Sequence, residues 1–329
     1  MAGTARRHRV AAVDLGTVSS RLLMAEVEDG RIVCSSKRTV ITDLGEGVDA
    51  NGVFSPAAVG RVLAACEGFM RELGPFAPER VCTTLTSAAR DVSNGELLLR
   101  ELEQLGLAPQ VIPGEVEARL TFYGVAHDFP GQRIVVADSG GGSTELAVGS
   151  YAPGRPLEVC AIRSLNIGCR RVTERFLASA PPADEALQRA AAWVNPQFKA
   201  YWDALDARPE RLVAVGGTVT TLCALAQGMQ EYDSHRVHLS ELSRADVRAG
   251  IERMRGLTVE QIGALPAVQP ERAHVLLAGS VVIHELMASG GYDRLTVDEN
   301  SIMAGMVETM SEVLDGQEPA IGWTPVLSY

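Results

Sequence analysis

The sequence predicts an α/β fold of two domains, each of which opens with the same strand–turn–strand unit. At 329 residues the chain is long enough for two domains of ordinary size. Residues 9–22, RVAAVDLGTVSSRL, align with residues 133–146, RIVVADSGGGSTEL, at a constant offset of 124. In both copies an apolar run ends at an aspartate, Asp14 or Asp138, and a second apolar run follows a polar turn. The repeat therefore predicts a duplicated fold, with domains at residues 1–127 and 128–329.

Strands and helices alternate along the rest of the chain, which predicts mixed sheets covered by helices. A helix is expected from Pro56 to Leu73, because Ser55 is a suitable N-cap and proline is favoured in the first turn. Further helices are predicted at residues 94–105, 115–126, 168–177, 183–205, 218–226, 244–255, 258–264, 270–290 and 301–314. Further strands are predicted at residues 31–41, 80–86, 110–113, 157–167, 211–215 and 295–298. The segment from Asp315 onward is expected to be loop or extended chain.

Composition and charge narrow the functional classes. The net charge of −11 argues against generic nucleic-acid binding, which needs a basic face. No apolar run reaches the roughly 20 residues that span a bilayer, and no secretory signal core follows the basic start, so we expect a cytoplasmic protein without a membrane contact. Residues Met1–Arg9 are interpreted as a disordered lead-in. The six cysteines have neither disulfide nor zinc spacing and are expected to be reduced.

The two Asp-x-Gly turns have the chemistry of a metal–phosphate site. Glycine lets the backbone approach an oxygen closely, amides and hydroxyls donate to phosphate oxygens, and the aspartate holds Mg²⁺ directly or through water. The residues that would bind phosphate are Gly16, Thr17 and Ser19 in the first turn, and Gly140, Gly141, Gly142, Ser143 and Thr144 in the second. The alternative is a pair of hairpins in which Asp-Gly only makes the turn, and the match between the two turns favours the site.

Glu145 and a third glycine-rich turn extend this hypothesis. Glu145 directly follows the second turn, where a carboxylate would complete a metal shell or orient water. Its alternative is an exposed strand residue. Gly216, Gly217 and Thr218 follow a predicted strand and open a helix, which presents free amides and a positive dipole end to an anion.

Two further residues are candidates for catalysis. Glu115 and Glu117 cannot share one helix face, so one of them can point into a cleft as a general base while the other caps the helix. The alternative is a helix start that is merely rich in glutamate. Arg90 follows a predicted strand, and its planar guanidinium suits a phosphate oxygen, the alternative being an ordinary salt bridge.

In their order along the chain these motifs resemble the exopolyphosphatase/guanosine pentaphosphate phosphohydrolase (Ppx/GppA) family. The segments that carry the resemblance are Val13–Thr17, Thr86–Asp91, Ile112–Leu120, Asp138–Leu146, Val215–Thr218 and Pro270–Gly279. The resemblance runs from about Val10 to about Met310 and matches the short form of the family. It implies an actin-like (ribonuclease H-like) duplicated two-domain fold with phosphate-binding hairpin loops and an inter-domain cleft.

The resemblance also implies a reaction. Family members use Mg²⁺ to remove terminal phosphate from polyphosphate or to convert pppGpp to ppGpp, and Mn²⁺ is the alternative ion. By position, Glu117 is expected to activate water and Arg90 to bind phosphate. Asp14, Asp138 and Glu145 are expected to hold the metal or orient water, and the three glycine-rich turns to hold phosphate.

The resemblance leaves several functions open. We expect an exopolyphosphatase, with a pppGpp 5′-phosphohydrolase as the first alternative. The others are an ATP-dependent kinase of the same superfold and a non-catalytic (p)ppGpp-binding regulator. A homodimer is a family-level expectation.

Four positions, in three segments, depart from the usual family pattern. Val18 stands where an amide side chain is usual in the first turn, and Ser139 where the second turn usually has an apolar residue. Met303 and Ala304 replace an Arg-Glu pair before Gly305. We expect these departures to alter substrate preference or rate, and the binding of phosphate to depend mainly on the second turn.

Overall fold

The computed structural model describes residues 6–329. Its strands, in chain order, are β1 (Arg7–Leu15), β2 (Ser19–Glu28), β3 (Arg31–Ile41), β4 (Arg80–Leu85), β5 (Pro109–Val111), β6 (Arg133–Ser139), β7 (Thr144–Ser150), β8 (Glu158–Leu165), β9 (Arg211–Val215), β10 (Glu241–Ser243), β11 (Arg294–Val297) and β12 (Leu327–Ser328). Its helices are α1 (Val48–Asn51), α2 (Pro56–Phe76), α3 (Ser87–Arg90), α4 (Gly95–Gln104), α5 (Gly114–Ala126), α6 (Cys169–Phe176), α7 (Asp184–Asp203), α8 (Gly217–Ala226), α9 (Ser234–Val237), α10 (Arg244–Met254), α11 (Val259–Gly263), α12 (Ala273–Gly290) and α13 (Ile302–Leu314).

The structure confirms most predicted elements and corrects one. Helix α2 begins as predicted, with the Ser55 side chain accepting a hydrogen bond from the Ala58 amide at 3.1 Å. Strand β1 begins at Arg7, so the last part of the predicted disordered lead-in is a strand instead. The rest of that lead-in, Met1–Ala5, lies outside the described residues. The short elements α1, α3, α9 and β10 were not predicted.

The described chain forms two compact units. Unit 1 runs to Pro130 and also holds Tyr151–Glu158 and Asn300–Tyr329, whereas unit 2 comprises Gly131–Ser150 and Val159–Glu299. The chain first passes from unit 1 to unit 2 after Pro130, close to the predicted domain boundary at residues 127 and 128. Residues 300–329, which the sequence analysis placed in the second domain, belong to unit 1, because α13 covers an apolar face of the unit 1 sheet.

The sheet of unit 1 has the order β12–β4–β1–β2–β3, with β5 also paired to β4. Strand β1 runs antiparallel to β2 and parallel to β4. Val10 and Ala12 join the apolar cluster on the side of α5 and α13, while Ala11 and Val13 join the cluster on the side of α2. Because side chains alternate along a strand, this division shows that both faces of the sheet are covered.

Helices α5 and α13 cross at two glycines. A Cβ atom on Gly305 would lie 1.9 Å from the carbonyl oxygen of Leu120, and one on Gly124 would lie 2.6 Å from the Gly305 amide nitrogen. Met303 and Ala304 are buried beside this crossing. These two apolar side chains are therefore part of the core that packs against α5.

A buried contact between a carboxyl group and an imidazole ring joins the end of α5 to α13 beyond that crossing. Glu308 of α13 lies 3.1 Å from Nδ1 of His127, the residue that follows α5. Burial raises the pKa of Glu308 to about 7, although the hydrogen bond and charge of His127 oppose the rise. The pair contributes to a fixed position of α5, which carries Glu117.

The sheet of unit 2 repeats these connections in the order β10–β11–β9–β6–β7–β8. Strand β6 is antiparallel to β7 and parallel to β9, as β1 is to β2 and β4, and β9 is parallel to β11 as β4 is to β5. The duplication predicted from sequence is thus present in the topology, and the fold is the expected actin-like one.

The segment Pro270–Gly290, which includes α12, is long and apolar enough for a membrane span by length and composition alone. Of its apolar window, 72% is buried within the structure. Its side chains pack in the apolar cluster of unit 2 with those of α7 and α10. This burial is typical of the core helix of a compact unit.

Candidate active site

The two Asp-x-Gly turns have the same backbone geometry. The Gly16 amide donates to the Ser19 carbonyl at 2.9 Å, and the Gly140 amide donates to the Ser143 carbonyl at 3.0 Å. The strand registers also correspond, with Asp14 opposite Arg21 and Asp138 opposite Glu145. Residues that are 124 apart in the sequence therefore make equivalent backbone hydrogen bonds in the two turns.

The second turn has two amides that make no hydrogen bond within unit 2. The carbonyl oxygens of Gly140 and Gly141 accept hydrogen bonds of 2.9–3.3 Å from the start of α6, and that of Gly142 accepts from Arg171 Nε at 3.0 Å. Within residues 6–329, the amides of Gly141 and Gly142 donate to no other group. Consecutive amides without a partner suit the oxygens of an anion.

Gly168, which sequence analysis did not select, holds the second turn in place. A Cβ atom on Gly168 would lie 2.2 Å from the Gly141 carbonyl oxygen and 2.5 Å from the Gly142 amide nitrogen. The contact is between two backbones, so it requires glycine at this position. No local motif marks this contact, because the two segments are distant in sequence.

The third turn lies beside the second. Val215 of β9 pairs with Asp138 of β6, so Gly216 follows next to the aspartate. Gly216 has a φ of 105°, and a Cβ atom there would lie 2.9 Å from the Ser139 carbonyl oxygen. Gly216 is therefore at a position that only glycine fits, and Gly217 follows as the first residue of α8.

Two of the predicted phosphate-binding threonines face the protein interior. Thr144 is fully buried, and its hydroxyl donates to the Ile167 carbonyl at 2.6 Å. Thr218 is also buried, and a Cβ atom on Gly279 of α12 would lie 2.3 Å from its hydroxyl oxygen. These contacts favour a supporting role for both side chains.

Asp138 and Glu145 form a pair of acids in unit 2. They lie directly opposite each other on β6 and β7, so their side chains share one face of the sheet. Both are buried, and Glu145 accepts a hydrogen bond from the Ser164 hydroxyl at 2.6 Å. Neighbouring carboxylates with oxygen donors fit a divalent cation such as Mg²⁺.

The first turn has a different charge arrangement. Oδ2 of Asp14 accepts from Arg21 Nε at 2.9 Å and from Nη2 at 2.5 Å, while the buried Oδ1 has no hydrogen-bond partner among residues 6–329. Arg21 stands where the second copy has Glu145, a difference already visible in the aligned repeats. One oxygen of Asp14 thus fits a cation, and its role as a metal ligand stays a prediction.

The backbone, and not the Val18 side chain, fixes the first turn. Val18 is buried, and its carbonyl oxygen accepts from the Thr42 and Asp43 amides at 3.0 and 2.9 Å. Thr17 is also buried and accepts from the Gly45 amide at 2.8 Å, whereas Gly16 and Ser19 are partly exposed. The Val18 departure therefore contributes to packing in this structure.

Arg90 and Glu117 are brought together in unit 1. Nη1 of Arg90 donates to Oε2 of Glu117 at 2.8 Å and to the Ile112 carbonyl at 2.9 Å. Glu117 lies in the first turn of α5, where the helix dipole favours negative charge. The salt bridge that was the alternative for Arg90 exists, and its partner is the predicted general base. The pair fixes a carboxylate on a rigid helix, as proton transfer from water requires.

The model of the Ppx/GppA phosphatase family matches residues 23–310. The chain belongs to this family. The matched range includes Arg90, Glu117 and the second turn of the Ppx/GppA chain, while the first turn precedes it and is linked to the second by the repeat.

Similar proteins support the family. Exopolyphosphatase 2 of Mycobacterium tuberculosis is 38% identical over 323 residues, which cover 92% of this chain and 98% of that protein. A guanosine-5′-triphosphate,3′-diphosphate pyrophosphatase of Photobacterium profundum is 30% identical, with 92% of this chain and 59% of that protein covered. The crystal structure of an exopolyphosphatase-like protein is 30% identical with a TM-score of 0.85, and the match covers 94% of this chain and 99% of that one.

Proposed function

We propose that this Ppx/GppA protein is an exopolyphosphatase-type phosphoanhydride hydrolase that releases terminal phosphate from inorganic polyphosphate. The observation that carries the proposal is the second turn, where unpaired glycine amides lie beside the acids Asp138 and Glu145. Amides bind the oxygens of a phosphate, and the acids suit the cation that accompanies it. Similarity over nearly the whole length of Exopolyphosphatase 2 favours polyphosphate as the substrate.

In this mechanism Glu117 and the second turn have different roles in the proposed hydrolysis. Glu117 of unit 1 accepts the proton of the attacking water, and Arg90 orients its carboxylate through the 2.8 Å bond. The amides of Gly141 and Gly142 in unit 2 donate to oxygens on which charge builds as phosphate is transferred. Most of the acceleration is then positional and electrostatic.

Mg²⁺ is the proposed cofactor, with Mn²⁺ as the alternative. Asp138 and Glu145 would hold the ion, and Oδ1 of Asp14 is the oxygen that the first turn can offer. A bound divalent cation would neutralise charge on the phosphate oxygens. A homodimer and a cytoplasmic location remain proposals from the sequence analysis.

The second candidate substrate is pppGpp, which is favoured by the similarity to the Photobacterium profundum pyrophosphatase. Phosphate release should therefore be compared for long-chain polyphosphate, tripolyphosphate and pppGpp, each with Mg²⁺. We expect the two inorganic substrates to have the higher kcat/KM. Preference for pppGpp would replace the proposal by its alternative. Tight (p)ppGpp binding with no phosphate release from any substrate would indicate a regulator.

A further inference from the structure

Unit 1 has a groove that the proposed reaction does not use. It lies between β3 and α2 and encloses about 300 Å³. Arg38 of β3 and Arg61 and Arg71 of α2 line it. The small residues Ala64, Ala65 and Gly68 and the apolar residues Val40 and Ile41 also line it. A protein with a net charge of −11 thus concentrates three positive charges in one concave place.

Two of the guanidinium groups converge at Gly68. A Cβ atom on Gly68 would lie 3.8 Å from Nη2 of Arg71 and 3.9 Å from Nη2 of Arg38. Like charges held close together repel each other, and a bound anion would relieve that repulsion. Glycine at this position leaves the space between them open.

Ion pairs within unit 1 do not neutralise the groove. Arg38 pairs with Glu72, and Arg61 pairs with Glu46 at 2.8 Å. Arg71 makes no hydrogen bond or ion pair with any residue of the range 6–329. The three arginines and two acids leave one unbalanced positive charge, and the outer charges are exposed enough to rearrange around a ligand.

We propose that this groove binds a chain of phosphates, either a segment of inorganic polyphosphate or the triphosphate of a nucleotide. Guanidinium groups bind phosphate through paired N–H donors, and successive phosphates offer a charge to each arginine. A single carboxylate can reach one guanidinium group, whereas a chain of phosphates can also replace Glu72 and Glu46 as the partners of Arg38 and Arg61.

The groove adjoins the first Asp-x-Gly turn. Arg61 donates to the Thr42 carbonyl at 2.7 Å and to the Asp43 carbonyl at 3.2 Å, and the amides of these two residues donate to Val18. Thr42 and Asp43 therefore connect Arg61 to the first turn, and a phosphate chain bound to Arg61 would lie close to that turn. A role of the groove in polyphosphate degradation rests on the proposed function. The binding of a phosphate chain to the groove does not.

The test is a calorimetric titration of the full chain with inorganic tripolyphosphate at low ionic strength. All proteins carry Glu117→Gln so that hydrolysis cannot consume the probe. The groove variant is Arg38→Ala with Arg71→Ala. The control is Arg100→Ala with Arg248→Ala, which removes the same charge from exposed arginines on α4 and α10. A third variant, Glu72→Gln, removes the acid that competes for Arg38.

The proposed active site also binds tripolyphosphate, so we expect two classes of site in the parent and in the control. In the groove variant we expect one of the two classes to bind about tenfold more weakly or worse, because it loses charge-assisted hydrogen bonds. Glu72→Gln should bind more tightly. Equal binding by the groove variant and the control would overturn the proposal. If the groove variant does not fold, unchanged binding by Glu72→Gln overturns it and tighter binding supports it.

A parallel titration with GTP distinguishes the two sources of phosphate. Loss of both ligands in the groove variant supports a site for any phosphate chain, and loss of tripolyphosphate alone supports a site for the inorganic chain. Loss of GTP alone would show that the groove recognises the nucleoside, and this result would also overturn the proposal.

Discussion

Replacing Glu117 by glutamine is expected to lower kcat for phosphate release by about 10²–10⁴-fold and to leave tripolyphosphate binding within a few-fold of the parent. Glutamine keeps the size of the side chain and an oxygen for the 2.8 Å bond from Arg90, but it cannot accept the proton of water. The loss should therefore be in kcat, which steady-state phosphate release measures.

The matched control is Glu115→Gln, the same change two residues earlier on α5, where the side chain is exposed. It should release phosphate at close to the parental rate. If Glu117→Gln keeps the parental kcat, Glu117 is not the base. If both variants lose activity equally, activity depends on the total negative charge at the start of α5, and the role of Glu117 as the general base is wrong.

Replacing Gly168 by alanine is expected to displace the second turn and to abolish most phosphate release. The added Cβ atom would lie 2.2 Å from the Gly141 carbonyl oxygen, and neither backbone can move without breaking the bonds to the start of α6. Gly168 has an extended backbone that alanine also adopts, so the effect comes from this contact alone. Overpacking of this kind costs about 1–3 kcal/mol, and a turn misplaced by about 1 Å can lose about 10²-fold in rate.

Gly256→Ala is the control for this substitution. Its added Cβ atom meets nothing within 4 Å, and its backbone is not left-handed. Thermal unfolding and steady-state phosphate release should be measured for both variants. Gly168→Ala should unfold several degrees lower and be nearly inactive, and Gly256→Ala should resemble the parent. Parental activity in Gly168→Ala would show that this turn does not position phosphate.

The parts of the structure that sequence predicts well are those with local signals. The repeated aspartate turns predict the duplicated topology, and Ser55 with Pro56 predicts the start of α2. Helix α13 was predicted as an element, but nothing local shows that it returns to the sheet of unit 1. Its apolar faces fit a core, and only the tertiary packing shows which core.

The site follows the same rule. Glycines that make turns are visible in the sequence, whereas Gly168 is required by a contact with a distant segment. Thr144 and Thr218 stand beside glycines and so were predicted to bind phosphate, yet both side chains face the interior. The net charge of the chain does not show where individual arginines lie in the fold, so the groove lined by Arg38, Arg61 and Arg71 was not predicted.

The proposed hydrolase transfers a terminal phosphate of polyphosphate to water. To test this transfer, the protein is incubated with long-chain polyphosphate and Mg²⁺ in ¹⁸O-labelled water, and the mass of the released phosphate is determined. We expect orthophosphate that carries one oxygen from the solvent, with release strongly reduced in Glu117→Gln. Absence of released phosphate, or its transfer to an added acceptor without solvent oxygen, would show that the protein is not this hydrolase.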